Sequence, residues 1–339
     1  MKKIIVLISI FAFVIIFGCQ KNTTVVPSSP ENPMPTNTQI PTATFTLTVT
    51  LTATAIPTST PAPFGKIVYQ SNMDGDYDVY VYNFSTQANT NITNSNTGYD
   101  GMPCWLANGF NIYFISDRSI GYGNDVYLTK EDGSYVSEKV GTADEKYYPR
   151  KGNNGSSRDL FYHKYNSTTG KTEICAWDNI NKKEVLLLSN SNANFKWCEY
   201  SWLNNEIIYI CDATGYQQIY KSDVNGVFAT QLTFEQYLHT QPKLSYFNNK
   251  IVYSADVNND GKGEIYIMNY DGSNKVRLTY NNDNDRFPVF SPDDYWVLYV
   301  KYDSSNTKGD LYIIPATGGT EQKLNIGFSN TNETYPDWY

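Results

Sequence analysis

The densest array of hard oxygen donors in the chain is Asp256-Val-Asn-Asn-Asp260-Gly261-Lys262-Gly-Glu264. Asp256, Asn258 and Asp260 stand at alternate positions, so their side-chain oxygens converge on one point. Gly261 permits a sharp turn, Lys262 offers its carbonyl, and Glu264 closes the set at the ninth position. Such donors suit Ca²⁺, the one cofactor expected here. The same residues also make an ordinary polar hairpin turn, since Asn-Asp-Gly tolerates a left-handed backbone. A shorter version, Gln70, Asn72, Asp74, Gly75 and Asp78, reads as a turn.

Other chemistry is sparse. The chain has two histidines, His163 and His239, which argues against a histidine-built metal centre. It contains no Gly-x-Ser-x-Gly elbow, phosphate loop or Cys-x-x-Cys pair. A pair of carboxylates acting on a polysaccharide stays open, because such acids are far apart in sequence. Cys198 and Cys211 flank a predicted hairpin turning at Asn204-Asn205. If Leu203 faces Glu206, the two cysteines lie opposite one another, and an oxidising setting would allow a disulfide there; two buried thiols are the other reading.

These residues sit on a repeat. One Tyr-bearing apolar strand recurs as Ile67-Val-Tyr69, Ile112-Tyr-Phe114, Leu160-Phe-Tyr162, Ile207-Ile-Tyr209, Ile251-Val-Tyr253 and Val297-Leu-Tyr299, spaced 44 to 48 residues apart. A second strand opens on a polar residue: Asp78, Asp125, Glu173, Gln218, Glu264 or Asp310. A third, outer strand follows, as in Asn91-Ile-Thr93, Gln231-Leu-Thr233 and Arg277-Leu-Thr279. Between repeats lies x-Pro-x-apolar, as in Met102-Pro-Cys-Trp105 and Phe287-Pro-Val-Phe290, with Cys198 in the Pro slot of the fourth repeat. Four strands per period of this length match a propeller blade. The expected fold is all-β, a six-bladed β-propeller with four-stranded blades. The first repeat lacks an inner strand and the last five residues, Tyr335–Tyr339, supply one. That closure removes a free sheet edge. Pro is tolerated at the start of such strands.

Three residues ahead of each Pro slot stand Asp100, Lys146, Phe195, His239, Asp285 and Glu333. Tyr99, Tyr147, Tyr148, Trp197, Arg286, Phe287 and Tyr335 lie beside them. On a propeller these loops share a face with Asp256–Glu264 and rim the central channel. Such a rim could bind a protein, a peptide, a cell-wall glycan or a cation. Taken singly, each acid is better explained by capping a turn or a blade edge; the face as a whole is read as a binding surface.

The pattern resembles TolB-like propeller repeats. Asp285–Asp293 carries Asp-x-x-Pro-x-Phe-Ser-Pro-Asp. Ile265–Ser273 with Arg277–Thr279, and Ser116–Arg118 with Asp125–Tyr127, match further repeat motifs. The resemblance covers Lys66–Tyr339 and implies a binding or scaffold module. The small α/β domain of that family has no counterpart in residues 1–64, so its translocation role is not implied. Asp256–Glu264 resembles the hairpin calcium loops of integrin-type propellers. Related propellers also cap prolyl oligopeptidases, but no hydrolase segment is seen here.

Composition agrees with many strands and turns: 29 tyrosines in 339 residues, with Asn, Asp, Gly and Ser between short apolar runs. The net charge is −8, or −10 without Lys2 and Lys3, which disfavours nucleic acid. Residues 1–18 read as a signal peptide, with Ile4–Phe17 as its apolar core. Ile16-Phe17-Gly18-Cys19 resembles a bacterial lipobox, so Cys19 is the expected lipidation site. Residues 19–64 read as a Thr/Pro-rich tether and 65–339 as the propeller. The expected protein is a monomer, held to the membrane of a bacterial cell envelope by its lipid. A propeller enzyme using channel-mouth carboxylates is the alternative.

Overall fold

The computed structural model describes residues 61–94, 98–118, 123–140, 144–152, 157–327 and 330–339. The signal peptide, Cys19 and most of the tether lie outside the described residues. The strands form six four-stranded antiparallel sheets and there is no helix among the described residues. Blades two to six run in simple chain order from inner to outer strand. Blade one joins the chain's two ends: Thr334–Trp338 is its inner strand, beside Lys66–Ser71, Asp78–Asn83 and Ala88–Asn91.

The sequence dictates this layout. The second and third strands alternate β-branched and aromatic residues, and both faces of each blade pack on a neighbour. The Tyr series Tyr69, Tyr113, Tyr162, Tyr209, Tyr253 and Tyr299 is fully buried. Blade two contributes Tyr113 here, one residue before the aligned Phe114, which is also buried. The core is therefore a ring of six clusters between blades; one joins Ile67, Tyr69 and Trp338 of blade one to Trp296 and Leu298 of blade six.

A threonine near the outer edge clips three of the blades. Thr93, Thr233 and Thr279 each accept the second amide of the adjacent strand, from Val79, Ile219 and Ile265, at 2.9 Å. In blades one and five the same hydroxyl donates to the acid that opens that strand, Asp78 or Glu264. The repeated Asn/Gln/Arg-apolar-Thr signature thus fixes where the outer strand ends.

Closure is dense. Ile67 pairs with Trp338 and Val68 with Asp337. Lys66 and Tyr339 exchange backbone bonds at 2.6 and 2.8 Å. Asp337 Oδ2 accepts from the Trp105 amide of blade two at 2.8 Å. Deleting Tyr335–Tyr339 strips an inner strand, a buried anion and an indole from the ring. Cooperative thermal unfolding and the near-ultraviolet circular dichroism of the packed aromatics are expected to vanish, although only five residues are lost.

Candidate functional site

Every inner strand carries a β-bulge at the same place. The register slips across Met102-Pro103, Tyr148-Pro149, Trp197-Cys198, Gln241-Pro242 and Phe287-Pro288, and opposite Tyr335-Pro336 in blade one. The residue before each Pro slot has φ between 51° and 56°. A non-glycine residue pays on the order of 1–2 kcal/mol for that left-handed backbone. The bulge frees one residue from the ladder, and Pro, having no N–H, leaves no donor stranded there.

The bulge aims six large side chains into the axis on the face of the Asp256–Glu264 loop. Tyr148 and Trp197 have ring centroids 3.8 Å apart, Phe287 and Tyr335 4.3 Å, and Tyr148 and Tyr335 5.5 Å. Gln241 Oε1 accepts from the Phe287 amide at 2.9 Å. Together they plug the channel. Shallow hollows flank the plug, one bearing Tyr147, His163 and Lys196, the other Arg286, Tyr302 and Asn306. Trp197, Arg286 and Tyr335 thus come to the mouth as the sequence suggested.

Below the plug, the residue after each Pro slot also faces the axis, and four of the six are charged. Glu199 Oε1 lies 2.7 Å from Arg150 Nε and 2.8 Å from Lys243 Nζ, and Lys243 Nζ lies 3.2 Å from Asp337 Oδ1. All four are buried. Burial and Arg150 would lower the Lys243 ammonium, but Asp337 and Glu199 outweigh them and hold it above its usual value. Burial would raise the Asp337 carboxyl; Lys243, Lys151 and Arg150 hold it below. Two cations and two anions balance, which is what a buried charge group requires. Only about 10 Å³ stays free between plug and charges, no more than about one water.

On the opposite face, where the inner strand turns into the second, the axis opens into a funnel of about 340 Å³. Cys104, Glu199, Lys243 and Asp337 form its floor, and Trp202, Tyr246, Phe290 and Tyr339 stand among its walls. Burial, with Asp337 nearby, pushes the Cys104 thiol up to about 11, so it stays protonated. The hairpin turns around this mouth expose Phe110, Trp202, Leu203, Tyr246, Phe247 and Tyr295, each between 40% and 64%. The sequence reading missed this face. Its signal was apolar pairs inside polar turns, Ser-Trp-Leu-Asn-Asn and Ser-Tyr-Phe-Asn-Asn.

The ring of residues three before the Pro slot is not an open rim. Asp100, His239, Asp285 and Glu333 are buried, at 2% exposure or less. Their amides donate to carbonyls of the preceding blade, at Tyr77, Gln217, Gly263 and Gly309, at 2.8 to 3.0 Å. Lys146 does the same to Asn124. Of the side chains, Lys146 crosses the seam to Asp125 at 2.7 Å, whereas Asp100 meets Arg118 at 2.5 Å and Glu333 accepts from Ser71 at 3.2 Å within their own blades. Through their backbone amides these residues staple blades, and they do not face one another across the channel.

The loop at Asp256 is closed by its own amides. Asp256 accepts from Asp260 and Gly261 at 3.0 and 2.9 Å. Asp260 accepts from the Lys262 amide. Glu264 is engaged by Arg277 at 2.9 Å and Thr279 at 2.7 Å. The structure thus brings Asp256 and Asp260 into one loop and commits Glu264 to the outer strand. In blade one, Asp74, Asp76 and Asp78 bring carboxylate oxygens within 4.8 Å of one another, although that loop read as the lesser one.

The disulfide reading is corrected. Ser201 pairs with Glu206, and after the bulge Phe195, not Cys198, pairs with Cys211. All four cysteines among the described residues are free and buried. The turn spans residues 202–205 and not Asn204-Asn205 alone, which moves the register by two, and the bulge moves it by one more.

The comparisons agree with this geometry. The family model described as TolB β-propeller domain (PD40) matches residues 165–339, just over half of the chain. The chain belongs to the TolB β-propeller domain family. Tol-Pal system protein TolB of Orientia tsutsugamushi (strain Ikeda) is 27% identical over 152 residues, which is 43% of this chain and 33% of that protein. The protein of that name from Campylobacter jejuni (strain RM1221) is 29% identical over 100 residues, 29% of this chain and 24% of the relative. The matched stretches therefore span a quarter to a third of these relatives. The crystal structure of TolB from Acinetobacter baumannii superposes with a TM-score of 0.69 at 18% identity, over 82% of this chain and 68% of that one. An oligogalacturonate lyase in complex with manganese shares the fold at a TM-score of 0.55 and 11% identity, over 77% and 73% of the two chains.

Two outcomes check the TolB-type axis described here. Phe287→Gly is expected to be more stable than Phe287→Ala by about 1 kcal/mol in urea unfolding, the reverse of the usual order, because only Ala keeps a Cβ in the left-handed region. Burial pushes the Asp285 carboxyl up to about 7, against Asn281 and Lys301. The folded chain then holds a proton that the unfolded chain releases near pH 4, so this group costs stability as pH rises from about 4 to about 7. Asp285→Asn keeps an acceptor for Asn281 Nδ2, 2.9 Å away, and removes that cost. It should melt higher than the parent at pH 8, by on the order of 3 kcal/mol of stability, with the gain shrinking towards pH 4.

Proposed function

We propose that this chain is a membrane-anchored, extracytoplasmic protein-binding module, and that its protein partner docks on the funnel face. The observation that carries this reading is the coincidence of an axial funnel with a collar of exposed aromatic turns on one face. Monomeric proteins rarely gather so much exposed apolar surface around a concavity without a partner. The funnel walls offer aromatic anchors and its floor offers paired charges, the composition of an interface centre. Relatives named as Tol-Pal system proteins support a cell-envelope setting and a protein partner. The lipobox-like Ile16–Cys19 and the Pro-rich segment after it support an anchored form. The staple role of Asp100, His239, Asp285 and Glu333 leaves the carboxylate-enzyme alternative without its proposed acids.

In a pull-down from native envelope extract, Trp202→Ser with Tyr246→Ser is expected to abolish partner capture. Tyr280→Ser, exposed on the opposite face, should leave capture intact. Loss of capture on substituting Arg286 or Tyr147, with the Trp202 and Tyr246 double variant unaffected, would move the site to the plugged mouth. Cys19→Ala should release the protein from membranes on fractionation.

A further inference from the structure

Two indoles read the chain as it enters the ring. Trp296 Nε1 donates to the Pro61 carbonyl at 2.9 Å, and Trp338 Nε1 donates to the Phe64 carbonyl at 2.8 Å. Both tryptophans are buried, at 3% and 6% exposure. The two carbonyls are three residues apart, which is one turn of a polyproline II helix. The local sequence favours that conformation. The rings of Pro61 and Pro63 hold φ near −65°, and Pro63 steers Ala62 to an extended backbone. Polyproline II makes no internal hydrogen bonds, so its carbonyls await outside donors. Here indoles from blades six and one supply them.

The segment does not lie on a bare surface. Pro61, Ala62 and Pro63 line one side of a groove of about 570 Å³. Trp296, Pro315 and the Thr317–Thr320 turn of blade six line the other. An aromatic donor, an apolar wall and a proline-rich extended strand are the physics by which modular domains take proline-rich ligands.

We propose that blades six and one carry a built-in polyproline II seat whose occupant is the chain's own segment 61–64. The groove lies beside the turn from inner to second strand of blade six, so the clamp fixes the chain's departure on the funnel face. This assignment does not depend on what the funnel binds.

The test uses the full chain in detergent, comparing wild type with Pro61→Gly/Pro63→Gly. Those prolines precede the first strand of the ring. In ¹⁵N–¹H spectra the Trp296 and Trp338 indole protons of the wild type should exchange slowly. In the glycine variant the Trp296 proton should exchange roughly tenfold faster, the effect of losing one hydrogen bond of about 1.4 kcal/mol. Protease should also cut within residues 61–64 roughly tenfold faster, while the ring melts within a few degrees of wild type. Trp296→Phe keeps a ring in the core and removes the donor; where it folds, it should show the same gain in cutting. A wild-type Trp296 indole exchanging like free indole would overturn the clamp. So would a wild-type segment cut as fast as the glycine variant.

Discussion

The left-handed bulge in each inner strand is the constraint on which the centre of this molecule depends. A regular strand would send alternate side chains to the two neighbouring blades and leave the axis lined by whatever remained. The bulge inserts one residue, reverses φ there, and so presents one side chain above it and another below it to the axis. The upper set became a plug of Tyr148, Trp197, Phe287 and Tyr335. The lower set became the neutral group of Arg150, Glu199, Lys243 and Asp337. Strain of this kind persists only where its surroundings over-determine it. Here they do so through ring contacts above, ion pairs below and antiparallel pairing on either side.

Around that centre, two backbone devices keep six similar sheets in one closed arrangement. At the start of the inner strand, an amide reaches back to the preceding blade. At the outer edge of three blades, a threonine hydroxyl caps the neighbouring strand. Neither needs a large side chain, so the residues between them could diverge. Asp100, Lys146, His239, Asp285 and Glu333 differ in charge and size yet make the same main-chain bond. Their diversity reflects tolerance of the seam and not a shared chemistry.

The repeat, the Pro slot and closure by Tyr335–Tyr339 were legible because period, turn chemistry and an absent first strand are one-dimensional signals. The mouth was less so. Acids near a channel read as exposed ligands, yet the side chain of Asp285 follows its amide into the seam. Trp197 and Tyr335 reached the axis as expected, but as mutual contacts. Neither the turn length nor the bulge was legible: counting outward from Asn204-Asn205 put Cys198 opposite Cys211, but a four-residue turn shifts that register by two and the bulge by one more. The funnel face was overlooked for a different reason. Its aromatics sit in Asn- and Ser-rich turns, where polarity of the neighbours masks the exposed pair.

The buried charges have a further meaning for a chain built of tandem copies. Repeats of this sort can gain or lose a unit by duplication or deletion of similar stretches. Arg150, Glu199 and Lys243 come from three successive blades, and Asp337 comes from the closing strand. Adding or removing one of these blades would leave an odd charge at the axis, and an unpaired buried ion costs about 3–5 kcal/mol. The four residues therefore make the axis sensitive to the loss or duplication of the blades that carry them, while the strands around them vary.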